Sequence, residues 1–235
     1  TVLGFGWAIL RPVLSMVIFT VIFGGLARVD SDGMPYALFS YAALVPWLYF
    51  STALSASALS LVNNTDMLTK VYFPRLIFPL TPVFSKLVDF VISFAVVFVL
   101  MAWFHVAPTA RMLYLPLLIL LMMLATAGIS LWFAAMSVHY RDVKHAMPFV
   151  TQILMYAAPV VWSAALIEER FGQAGRLVFG LYPMVGVIEG FRVALLDTGP
   201  MPWDMLAVGT ASALLLFVTG LFYFRRMEVN FADVA

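Results

Sequence analysis

The residues of this sequence best placed to do chemistry are ionisable side chains inside or beside long apolar runs, and they are few. Arg11 stands near the start of the first run, Lys86 and Asp89 lie three apart near the start of the third, and Glu189 and Arg192 lie three apart in a less apolar stretch. A charge in hydrocarbon costs a few kcal/mol even on the mildest scales, so each must pair, face a cavity or snorkel to the interface. Lys86 with Asp89 and Glu189 with Arg192 are spaced to pair on one helix face, and Arg11 is read as snorkelling to lipid phosphates. No series of carboxylates or histidines crosses the runs, which argues against a proton relay.

Catalytic constellations are missing from the sequence. The phosphate cradle GxxxxGK[ST] does not occur, and no Gly-Lys pair exists to build it. His139 and His145 are six apart in a basic link, unlike a helical zinc pair at i, i+4, and cysteine is absent. The serines and threonines within the runs stand in no GxSxG elbow and are read as helix-packing hydroxyls. A net charge of +1 without a Lys/Arg block offers no nucleic-acid surface.

The elements that must position these residues follow from composition. Apolar residues make up 64% and charged residues 11% of the 235, against about half and about a quarter in soluble domains. Apolar runs at 4–26, 37–62, 79–104, 113–138, 149–167 and 203–224 are each long enough to cross a bilayer as a helix. None alternates at period two as a barrel strand would, so an all-α membrane protein with six spans is predicted. The first run is too long for a cleaved leader. Pro46 and Pro159, near mid-span, predict kinks.

Between the runs lie a turn-rich loop at 27–36, an amphipathic connector at 63–78, and tight links at 105–112 and 139–148. The segment 168–202 is too interrupted to span. It is expected at the membrane surface or dipping in partway, with Val185, Ile188 and Leu195 on one helix face. With both termini cytoplasmic, the inner side receives seven basic residues (Lys70, Arg75, Lys86, Arg141, Lys144, Arg225, Arg226) and the outer side five (Arg28, Arg111, Arg170, Arg176, Arg192), the bias of the positive-inside rule. Of the aromatics, Trp47, Tyr49 and Phe50 are candidates for a substrate path, where ring faces suit the C–H faces of sugars.

The connector reads Asn63-Asn64-Thr65-Asp66-Met67-Leu68-Thr69-Lys70-Val71-Tyr72-Phe73-Pro74-Arg75, continuing to Pro79. It resembles the segment after the second span in ABC-2 type permeases that export polysaccharides, O-antigens, capsules and teichoic acids. Tyr140-Arg141-Asp142-Val143 with Ala158-Pro159-Val160, Tyr182-Pro183-Met184 through Glu189-Gly190-Phe191-Arg192, and the opening Thr1-Val2-Leu3-Gly4 with Trp7 and Pro12 are similar to that family in the same order. Relatives often carry Asn at the place of Tyr182 and Ser at that of Ala158.

The resemblance implies one transmembrane permease domain over 1–235. It comprises six helices, a cytoplasmic coupling helix, and short re-entrant or interfacial helices before the last span; a cytoplasmic helix ahead of the first span is expected to be missing. It implies no enzyme on this chain and no cofactor of its own, with ATP and Mg on two copies of a separate ATPase docked to a homodimer in a bacterial inner membrane. Asn63, Asp66, Leu68, Lys70, Phe73, Pro74 and Arg75, with Arg141 and Asp142, would couple to the ATPase. Tyr182, Pro183, Glu189 and Arg192 would form an extracellular gate. The cargo would be a lipid-linked polysaccharide or polyol phosphate polymer. The alternatives are an ABC-2 permease for drugs or small hydrophobic molecules and, in a different class, an ion-coupled secondary carrier.

Overall fold

The structure, a computed structural model, describes residues 6–64 and 74–228, and among them every regular element is helical. Helix α1 (Gly6–Phe19) runs directly into a π-helical segment, Thr20–Leu26. There follow α2 (Tyr36–Ala58), α3 (Ile77–Trp103), α4 (Leu115–His139, preceded by a 3-10 turn at Ala110–Tyr114), α5 (Val143–Ala157), α6 (Ala165–Gly180), α7 (Pro183–Leu196) and α8 (Trp203–Glu228). Asp66, Leu68, Lys70 and Phe73 of the expected coupling segment lie outside the described residues.

Five of these helical runs are long and apolar enough to cross a bilayer: Gly6–Leu26, Tyr36–Ala58, Ile77–Trp103, Ala110–His139 and Trp203–Glu228. Each falls within a few residues of an apolar run in the sequence. The expected span 149–167 differs. Its helix α5 starts earlier, at Val143, and stops at Ala157, giving 15 residues or ~22 Å at 1.5 Å per residue, short of a ~30 Å hydrocarbon core. Ala158 takes an extended conformation (φ −92°, ψ 147°), as the residue before a proline prefers, so Pro159 ends the helix and does not merely kink it. Pro46, by contrast, sits inside the continuous α2.

The segment expected to dip or lie flat is a bent helix pair: α6 and α7 are long and apolar enough to cross a bilayer only when taken together, and their axes turn by 110° at the Leu181–Tyr182 break. Pro183 supplies the first helical residue of α7, where its missing N–H is no loss. The turn lies part-way along α8, since the Ser212 hydroxyl donates to the Leu181 carbonyl at 2.7 Å. Ser212 is nine residues past the start of α8, ~14 Å along that helix. Every residue of α7 except Glu189 is buried, so its polar pair sits in packed surroundings and not on an amphipathic surface face.

Helix α2 is the centre, packing on α1, α3, α4, α5 and α7. Its apolar residues point all round, the composition of a helix enclosed on every side. The most extensive pairing is α4 with α8, where two glycines bring the backbones together: a Cβ on Gly128 would stand 2.8 Å from the Phe217 nitrogen, and one on Gly220 would stand 2.9 Å from the Gly128 carbonyl oxygen. Small residues at a crossing are how membrane helices gain packing contact. The opposite edge is bare, with Pro12 alone buried in α1 and Val143 and Met147 alone in α5.

Candidate functional site

Three arrangements carry the polar residues that an apolar bundle does not need for packing. The first lies where α2 ends, α3 begins, and α4 and α8 end, which chain direction puts on one side of the membrane. A small core there joins Leu61, Leu131, Ala134, Ala135 and Phe224, with Leu76 and Phe78 packed against it. Arg75 donates to the carbonyl of Glu228 at the end of α8, so the connector's far end is held to the last helix. Asn63 lies exposed in a 3-10 turn and Pro74 is exposed. Arg141 and Asp142 are exposed in the α4–α5 turn, where the Asp142 carbonyl accepts from the His145 and Ala146 amides. The described candidates for coupling therefore lie on one side of the bundle.

The second is a groove of about 640 Å³ lined from α1, α2 and α5. Its α2 wall presents Trp47, Ser51, Thr52 and Ser55; Thr151 and Gln152 face it from α5, and Arg11 and Ser15 from α1. The hydroxyls are spent as donors on their own helices: Thr52 to the Leu48 carbonyl at 2.6 Å, Ser55 to Ser51 at 2.8 Å and Thr151 to Met147 at 3.0 Å. Each oxygen therefore keeps lone pairs for hydrogens donated from the groove. A wall of acceptors suits a hydroxyl-rich solute, and Trp47, itself almost wholly buried, stands at its edge. A smaller cavity, about 140 Å³, adjoins it beyond Arg11, where Lys86 and Asp89 pair at 2.9 Å.

Of the three aromatics expected on a substrate path, Trp47 lines the groove. The Tyr49 hydroxyl donates to the Val83 carbonyl at 2.7 Å, tying α2 to α3, and its ring borders the smaller cavity. Phe50 is wholly buried, its ring 6.2 Å from that of Tyr182. Advancing 100° per residue sends neighbours in sequence to different faces.

The third arrangement surrounds Arg192, whose relative exposure is 0%. Its guanidinium donates to the carbonyls of Val160 at 2.8 Å, Trp162 at 3.0 Å and Phe39 at 3.4 Å, lies 3.7 Å over the Phe39 ring, and pairs with Glu189 at 3.6 Å. Val160 and Trp162 belong to the non-helical stretch after α5, whose carbonyls have no helical ladder to join, so Arg192 supplies the donors they need. The Tyr36 hydroxyl donates to Val161, and the Ser163 hydroxyl to Asp32, both across more than a hundred residues. Arg176 joins α6 to the first turn of α8 through two bonds to Asp204, and reaches Glu168 as well. Arg111 meets Asp197 and the Gly199 carbonyl at the end of α7. Tyr182, expected beside Glu189 and Arg192, caps the other end of α7; its hydroxyl is buried and has no hydrogen-bond partner among the described residues.

The i, i+3 spacing of Glu189 and Arg192 made that pair visible in the sequence. Its ties to Phe39, Val160 and Trp162 were not, because they join distant segments. Of the groove hydroxyls, Ser51 and Ser55 stand four apart on one helix face, a spacing that by itself does not separate a groove wall from a packing face.

Comparison with known proteins adds a family and several relatives. The family model described as ABC-2 type transporter matches residues 1–196. Over 232 residues the chain is 28% identical to the O-antigen export system permease protein RfbA of Myxococcus xanthus, a match covering 98% of this chain and 87% of that protein. Two O-antigen export system permease proteins RfbA of Klebsiella pneumoniae are each 23% identical over 235 residues, all of this chain and 88% of theirs.

Proposed function

Because the chain belongs to the ABC-2 type transporter family, we propose that it is the membrane subunit of an ATP-driven exporter whose cargo is a lipid-linked polysaccharide. The observation that carries this reading is the groove, whose hydroxyl acceptors match a glycan and would be wasted on acyl chains. The O-antigen export permeases that resemble the chain over its whole length support the same cargo class.

The groove is flanked by two sparsely covered helices, α1 and α5, so a second copy related by a two-fold axis would close it into a channel. Work would arrive from separate ATPase subunits through the side that carries Arg75, Arg141 and Asp142, with Asp66, Leu68, Lys70 and Phe73 in the segment between Asn63 and Pro74. Movement there bears on α2 and α3 together, and α2 forms the groove wall. The bent pair of α6 and α7 would close the outer end, its Arg192 latch opening when α2 shifts. In this orientation both termini face the cytoplasm of a bacterial inner membrane.

Co-purification in detergent and transport in reconstituted vesicles test the proposal. The chain is expected to bring down an ATPase subunit and to move glycan only with ATP. Replacing Lys70 and Phe73 together by Ala should abolish ATPase-coupled transport with membrane insertion unchanged. Absence of any ATPase partner, together with transport on an ion gradient alone, would falsify it.

A further inference from the structure

Among the described residues Arg11 is the one charged side chain lining the large groove, and it also lines the smaller cavity, standing between the two. It is exposed and has no hydrogen-bond or ion-pair partner among the described residues. The other charges at the smaller cavity, Lys86 and Asp89, neutralise each other at 2.9 Å. Among the described lining residues, the net positive charge of both spaces is therefore that of Arg11. Ser15, Ser51, Thr52 and Ser55 line the large groove with it, and among the described lining residues the one carboxylate, Asp89 in the smaller cavity, is taken up by Lys86. A lone guanidinium in a membrane-embedded groove is costly unless an anion accompanies it, and its planar fork fits the oxygens of a phosphate. Snorkelling would satisfy the charge at the interface; a position shared by the groove and the smaller cavity satisfies it with an anion held between them.

We propose that Arg11 is a phosphate-binding residue, holding at the junction of the two cavities a phosphate ester carried on a lipid. This deepens the export reading and rests on it for the identity of the cargo: the phosphate would be the one that joins lipid to glycan. The same chemistry is present in phospholipid head groups. In either case the phosphate sits against Arg11 with the attached glycan along the acceptor wall of Ser51, Ser55 and Thr151.

The test uses the full chain in phosphatidylcholine nanodiscs, with dodecyl phosphate as probe and dodecanol as its uncharged counterpart. The ratio of the two affinities reports phosphate selectivity independently of how well an alkyl chain binds. In the native chain the ratio is expected to exceed that of Arg11→Gln by about tenfold, the scale of one charge-assisted contact, and Arg11→Lys should keep part of it. Competition by added phosphatidylglycerol down to the Arg11→Gln level assigns the phosphate to the bilayer; no competition assigns it to cargo. Both support the site. A ratio unchanged by Arg11→Gln overturns it. Neither arm needs an ATPase or transport, so a failure here leaves the export reading standing, and a failure of ATPase co-purification leaves this measurement intact.

Discussion

Arg192 shows how one side chain holds an irregular stretch of backbone inside an apolar bundle. Its three donor bonds run to Phe39 on α2 and to Val160 and Trp162 in the break after α5, and Glu189 balances its charge. Arg192→Met would strand those carbonyls and leave a largely buried carboxylate without its partner, a loss of about 3–5 kcal/mol. Thermal unfolding of the purified chain in detergent should register it as a clear fall in melting temperature. Arg192→Lys should fall in between, since an ammonium is a compact charge that cannot span three separate acceptors with a planar fork. Glu189→Gln should cost less than Arg192→Met, because Arg192 keeps its three carbonyl acceptors and its place over the Phe39 ring. A melting temperature for Arg192→Met equal to that of the native chain would show that these contacts do not hold this end of the bundle together.

Among the helices, the α4–α8 crossing is the joint least able to absorb added volume. Gly128→Val would drive a branched side chain into the backbone of Phe217, 2.8 Å away from the first added carbon, and overpacking of this kind costs about 1–3 kcal/mol. Gly25→Ala is the matched control, since its new carbon would meet nothing closer than the Thr20 carbonyl oxygen at 3.8 Å. The first should lower the melting temperature and the second leave it unchanged; equal effects would mean that α8 slides freely over α4. The sequence makes the existence of these helices plain because uninterrupted apolar runs have no other way to satisfy their backbone in lipid. It does not give the α5–α6 break. Pro159 reads equally as a kink within a span or as the end of a helix, and what decides is Arg192, thirty-two residues on from Val160, whose carbonyl it bonds. The site divides the same way. Lys86 with Asp89 and Glu189 with Arg192 are legible as pairs because a single helix fixes their spacing. The groove is assembled from three separate helices, and its hydroxyls look like packing groups until those helices are together.

Taken whole, the molecule buries its polar residues unevenly. The α4–α8 side is closed by glycine contact, while α1 and α5 leave their faces uncovered on either side of a groove rich in hydrogen-bond acceptors. Facing lipid, those acceptors would meet hydrocarbon that offers no hydrogens; facing the same groove of a second copy, they would line a shared aqueous path. The two arrangements differ in whether water reaches Ser55 and Thr151. Because the chain has no cysteine, a single introduced thiol can report this without removing any native one. Ser55→Cys and Thr151→Cys, each in reconstituted vesicles, are expected to react with a membrane-impermeant maleimide, and lipid-linked glycan added beforehand should slow them. Val91→Cys and Leu215→Cys, at exposed apolar positions on α3 and α8, are expected to stay unreactive in the bilayer. If the groove thiols proved as inert as these two, lipid would fill the groove, and the hydroxyl wall could not serve as the path of a hydrated glycan.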